Sequence, residues 1–183
     1  MKAILSSFSC PLNLDVESFL HCKALEFAKH GWAQTHLVFC PYKGKPALVG
    51  YFTLANKDIR INKKAIGSNS LRRRISQFSV YDIDLKAYSM ATPLIGQLGK
   101  NYSEGLNRLI SGDELLKMAC DKIKGIQFEL GGRYAYVECE DKPRLLEFYS
   151  DNGFCIFDKR LLDPDEVEKM DGRYLIQLLK YIK

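Results

Sequence analysis

Tyr149 lies in LLEFYSDNGF, residues 145–154, where a helix-like apolar run meets an Asn-Gly break. A phenol, whose ordinary pKa is about 10, can hand a proton to a leaving group near neutral pH. It can equally be a core tyrosine with its hydroxyl at the rim, and taken alone it reads that way. Phe148 and Phe154 read as core packing around it, and Gly153 as the turn. Upstream, RYAYVECE (133–140) alternates: Ala135, Val137 and Cys139 on one face, Tyr134, Tyr136, Glu138 and Glu140 on the other. Glu138 is the candidate carboxylate base, able to relay a proton through water. Acids in such places are more often simply solvated.

Other patterns exclude chemistry. GQLGK (96–100) has too few residues between its glycines for a nucleotide-binding P-loop and lacks the following Ser or Thr. His21, His30 and His36 show no metal-ligand spacing with cysteines or acids, so no metal is expected. The six cysteines form no C-x-x-C pair, and several fall in apolar runs such as THLVFC and FCIF, where buried thiols act as small hydrophobes. Arg72, Arg73 and Arg74 read either as a solvated helix face or as a contact for phosphate. A formal charge of +5 admits an anionic ligand or nucleic acid and implies neither.

The elements that must position these residues follow from ordinary globular composition, 46% hydrophobic and 27% charged in 183 residues. One domain spanning 1–183 is expected. No apolar run approaches the roughly 20 residues of a membrane helix. The serine-broken start MKAILSSFSC is too short in apolar residues for export. A reduced cytoplasmic setting is therefore expected. Residues 15–30 read as a helix stopped by Gly31; 35–40 and 46–55 read as a hairpin across PYKGK. About 57–90 reads as an insertion holding a short helix, and 92–98 as a strand with Pro93 near its start or at an edge. The clearest helix is 112–130, with an apolar stripe, a Ser111–Glu114 capping box and Gly131 at its end. A strand at 133–140, a helix at 143–151 and two closing strands, FCIFDKR and RYLIQLLKYI, complete a mixed α/β chain.

This order, ending in Phe148, Tyr149, Gly153 and Phe154, resembles the GCN5-related N-acetyltransferase (GNAT) superfamily and its aromatic-Tyr-x-x-x-Gly-Phe signature. LIGQLGKNYSEG (94–105) is similar to the family's cofactor strand and the start of its pyrophosphate loop. VGYFTLA followed by SLRRR is similar to a toxin-type branch that acetylates aminoacyl-tRNA. The loop departs from the family pattern. Asn107, Ile110 and Gly112 stand at its motif positions, and only the last glycine is kept.

The resemblance implies an acyl-CoA N-acyltransferase fold, a central twisted mixed sheet flanked by helices, with acetyl-CoA as cosubstrate. Backbone groups of Leu98, Gly99 and Lys100 would hold pantetheine and polarise the thioester carbonyl. Gly105, Asn107, Arg108, Ser111 and Gly112 would surround the diphosphate at the helix start, although Asp113 and Glu114 place negative charge there. In this motif context Tyr149 becomes the general acid for the leaving thiolate, with Glu138 the candidate base. The acceptor would be a primary amine on a small molecule, a protein or an aminoacyl-tRNA, and a homodimer is an admissible assembly. The alternative is a GNAT-like module that has lost turnover and binds nucleic acid through its basic segment.

Overall fold

The computed structural model describes residues 2–164, 167 and 172–183. In chain order it forms α1 (Lys2–Leu5), α2 (Leu14–Ser18), a π-helical turn (Phe19–Lys23), α3 (Ala24–His30), β1 (Gln34–Tyr42) and β2 (Lys45–Asn62). Then come α4 (Asn69–Ser76), β3 (Val80–Asp82), β4 (Ala87–Lys100), a 3-10 segment (Ser103–Arg108) and α5 (Gly112–Leu130). β5 (Tyr134–Glu140), α6 (Pro143–Asp151), β6 (Cys155–Leu161) and β7 (Tyr174–Tyr181) close the chain. Hydrogen-bonded neighbours in the seven-stranded sheet run β1-β2-β4-β5-β7-β6, with β3 beside β4. β4 and β5 are parallel at Leu94 and Tyr136, whereas β5–β7 and β6–β7 are antiparallel. The expected mixed sheet flanked by helices is the fold of this chain.

Two compact units form within it. One comprises the residues up to Ala55 with Ile95–Lys122, the other Asn56–Leu94 with the residues from Ile123 on. In the first, the β1–β2 hairpin closes on Lys43 and Gly44 at φ 49° and 76°, with Tyr42 opposite Lys45. Positive φ at both loop positions gives the strand twist a two-residue turn that suits it. Phe8, Leu20 and Tyr51 are buried there, and the Tyr51 hydroxyl donates to the Val16 carbonyl at 2.5 Å. In the second, Ile59, Ile61, Ile75, Tyr88, Tyr136 and Leu179 share one core. α4 joins it by turning Leu71 and Ile75 inward, and the Ser68 hydroxyl caps it by accepting from Leu71 N–H.

The structure corrects the sequence reading at several points. β2 continues to Asn62 because Ile59 and Ile61 alternate with exposed Asp58 and Arg60, so strand takes up the start of the expected insertion. β4 begins at Ala87, pairing Ala87, Tyr88 and Ser89 with β3, which leaves Pro93 mid-strand rather than near its start. Both faces of β5 are buried: Tyr134 and Tyr136 are covered as fully as Ala135 and Val137. The tyrosine rings on the face shared with Glu138 and Glu140 are core. Cys40 is half-buried and Cys155 exposed, so neither is the buried small hydrophobe that its apolar run suggested.

Candidate functional site

Within the first unit, the end of β4 and the start of α5 carry the expected cofactor residues. Asn101 N–H donates to Val49 O at 2.8 Å, and a Cβ on Gly50 would lie 3.0 Å from the Gly99 carbonyl oxygen. Gly99 therefore turns its peptide groups toward β2. Main-chain polar groups alternate sides along a strand, so those of Leu98 and Lys100 face away from β2. A pantetheine chain running along that side would meet Leu98 and Lys100. Gly99 has a different duty, since a Cβ there would stand 2.4 Å from Val16 Cγ1. Its missing side chain admits the N-terminal segment.

The loop after β4 is held by a residue the sequence reading passed over. Buried Asn101 accepts from Ser9 and Ser103 N–H, each at 3.0 Å, and its amide donates to Leu48 O at 2.8 Å. An Asn ending a strand before a polar turn was the available signal. Beyond it, Glu104 and Gly105 take φ 52° and 74°. Lys100 Nζ donates to Asn107 O at 3.1 Å, tying the strand end to the loop. Ile110, where the family motif has glycine, buries its side chain, while Arg108 is exposed.

At the start of α5 the capping box forms in full. Ser111 Oγ accepts from Glu114 N–H at 3.0 Å, and a Glu114 carboxylate oxygen accepts from Ser111 N–H at 2.8 Å. Hydrogen bonds from Ser111 hold the Glu114 carboxyl below its ordinary pKa. A diphosphate at this helix start would need amide donors that the box already engages, beside a fixed negative charge. Ser111 serves as a cap, and Gly112 begins the helix behind it.

The second unit holds the proton-transfer candidates. Pro143 opens α6 at its first turn, and Gly153, at φ 78°, follows its last. Tyr149 sits in that last turn, 8% exposed, with its ring centroid 5.0 Å from Phe148 and 5.6 Å from Phe154 in edge-on contacts. Its aromatic body is thus packed rather than displayed. Phe154 is buried, Phe148 is half-buried, and Lys180 Nζ lies 5.6 Å from the Phe154 ring centroid.

Glu138 is far from a free carboxylate. Arg160 grips both its oxygens at 2.8 Å through Nε and Nη2, Lys57 Nζ stands 3.2 Å from each, and the Tyr136 hydroxyl donates to it. Gln177 Nε2 in turn donates to the Tyr136 oxygen at 2.6 Å. Burial alone would raise the Glu138 pKa, but hydrogen bonds from Arg160 and Tyr136 and the charge of Lys57 bring it down to about 2. Such a carboxylate has little appetite for a proton near neutrality. Burial, then the bond to Glu138, drives the Tyr136 phenol upward. No local signal marked Arg160 or Lys57, because each lies on a different strand from Glu138. Among the described residues no cluster of His, Cys, Asp or Glu could hold a metal. Nor, among them, is any helix long and apolar enough to cross a membrane.

No protein-family profile and no curated protein sequence matches the chain. Its fold does match solved structures. AtaT complexed with acetyl-methionyl-tRNAfMet aligns at TM-score 0.64 and 14% identity, over 94% of this chain and 85% of that one. A tyrosine-to-phenylalanine variant of KacT aligns at 0.62 and 16%, over 96% and 89%. AtaTR bound with acetyl-CoA aligns at 0.58 and 16%, over 94% and 84%.

Proposed function

We propose that this protein is an acetyl-CoA-dependent N-acetyltransferase that acetylates a primary amine, with the amino group of an aminoacyl-tRNA as the acceptor. The observation that carries the reading is the fold likeness along nearly the whole chain to AtaT, seen with acetyl-methionyl-tRNAfMet, and to AtaTR, seen with acetyl-CoA. The site residues of this chain are compatible with it. Acetyl-CoA supplies the activated thioester. The backbone of Leu98 and Lys100 is assigned the pantetheine and the carbonyl oxygen, with Arg108 as the exposed cation for the phosphates. As the acceptor nitrogen bonds to the acetyl carbon, the carbon–sulfur bond breaks, and the Tyr149 hydroxyl gives its proton to the departing sulfur. Glu138 is assigned to positioning and not to proton abstraction, because its charge is spent on Arg160 and Lys57. The amine then loses its proton to water.

One observation favours a second reading. The capping box at the start of α5 engages donors that a diphosphate would use, as expected of a module that has given up the cofactor and kept nucleic-acid binding. Titration calorimetry with acetyl-CoA, and with dephospho-CoA beside it, separates the two. Micromolar binding is the expected result, and a preference over dephospho-CoA would assign a basic group to the 3′-phosphate. Folded protein that gives no heat with acetyl-CoA would overturn the enzyme.

A further inference from the structure

The second unit carries a run of cations with no acidic partners. Among the described residues none of Arg72, Arg73, Arg74, Lys63 or Lys86 makes an ion pair, although Lys57 and Arg160 in the same unit do. The fold gathers these cations from separate stretches of chain. Lys63 N–H donates to Lys86 O at 3.1 Å, joining the turn after β2 to the residue before β4. Lys63 Nζ also stands 5.5 Å above the Tyr81 ring, which lies 4.9 Å from that of Tyr88. Tyr88 belongs to the same core as Leu71 and Ile75, the inward residues of α4, so Arg73 and Arg74 project to solvent from an element packed on that core. Arg72 Nε is shielded from solvent with no hydrogen-bond partner, so the outward contacts of α4 belong to the exposed Arg73 and Arg74.

We propose that α4 with the Lys63–Lys86 junction is an RNA-docking surface, its arginines and lysines set for phosphates and Tyr81, 37% exposed, for a base. It rests on the proposed function only in the choice of tRNA as the RNA. Unpaired arginines suit phosphate oxygens, and an exposed phenol beneath a lysine suits the face of an unstacked base. An anionic membrane is the weaker match. Membrane insertion would have to carry Asp82 and Asp84 in with the neighbouring apolar tip, Ile83 and Leu85. RNA on α4 need not cover that tip, whose acids bound the phosphate track on this side. Asp58, exposed on β2, is a further acid facing out from this unit, and it sets a limit on how far the phosphate track extends.

The test is fluorescence anisotropy of the full chain with labelled, unfractionated tRNA across a salt series. Arg73→Gln with Arg74→Gln, both exposed and outside the core, should weaken binding by about tenfold or more. It should also lower the magnitude of the log–log salt slope by roughly 1 to 2, as two released counterions require. Tyr81→Leu should weaken binding with the slope unchanged, because stacking releases no counterions. Unaltered affinity and slope in the arginine pair would overturn the proposal, as would equal binding to duplex DNA or to phosphatidylserine vesicles. Acetyl-CoA titrations on the same proteins keep the two readings apart. Cofactor binding with arginine-independent tRNA binding sinks this surface alone, whereas arginine-dependent tRNA binding without cofactor binding sinks the enzyme and leaves the surface standing.

Discussion

A phenol packed in the last turn of a helix, next to a glycine turn, has two duties that one substitution separates. Tyr149→Phe keeps the edge-on contacts with Phe148 and Phe154 and removes only the hydroxyl. Turnover should fall roughly 10²- to 10⁴-fold, the usual worth of a positioned proton donor, with acetyl-CoA affinity held. Stopped assays and calorimetry on the same preparation check both halves. Glu138 makes the opposite case. Its folded pKa, about 2, lies below its ordinary value, so its contribution to stability is present above about pH 4.3 and is lost as pH falls through 2. Glu138→Gln should cost on the order of 2 kcal/mol at pH 7, less than a fully buried pair because Arg160 and Lys57 stay part-exposed. The gap from the parent should close on acidification, which urea melts at several pH values would record. A rate profile of the parent that requires a base titrating near neutrality at Glu138 would contradict this assignment.

At the scale of elements, the contact between β4 and α2 turns on one missing side chain. Gly99→Ala puts a methyl 2.4 Å from Val16 Cγ1 and should destabilise the chain by about 1–3 kcal/mol. Val16→Ala in the same chain should recover part of the loss, a coupling that a double-mutant cycle in urea measures. At the start of α5, the capping box and the proposed cofactor compete for donors. Glu114→Gln removes the fixed charge and should tighten acetyl-CoA about two- to fivefold, the scale of one charge beside a helix N-terminus. Looser binding in that variant would mean that Glu114 supports the cofactor loop instead of opposing it. The α5 expectation itself holds from Gly112 to Leu130, with Ser111, Glu114 and Gly131 in the geometry their types imply.

For the molecule as a whole, the proposed activity carries a cellular consequence. Acetylating aminoacyl-tRNA withdraws it from synthesis, so induced expression should arrest bacterial growth, and Tyr149→Phe should abolish the arrest. Harmless expression of protein active in vitro would redirect the search toward a small-molecule or protein amine. Acetyl-CoA at about 100 times its Kd should also stabilise the chain by about 2.7 kcal/mol, visible as a raised Tm.

Boundaries were legible wherever the signal is local. A capping residue, a glycine at positive φ or an apolar stripe acts within a few residues, so the sequence alone determined α5, α6, the β1–β2 turn and the closing strands. Burial and pairing are set by residues distant along the chain. The alternation of β5 alone could not show that its tyrosine face is core, because what covers it comes from β2, α4, β6 and β7. The sequence offered Glu138 as a base, because the residues that hold it ionised stand 22 and 81 positions away. It offered Gly99 only as one of three backbone positions for pantetheine, while the tertiary fold makes it the space that Val16 fills. Local chemistry determined which elements form. Only the packing of remote segments decided which charges are already spent and which remain for a ligand.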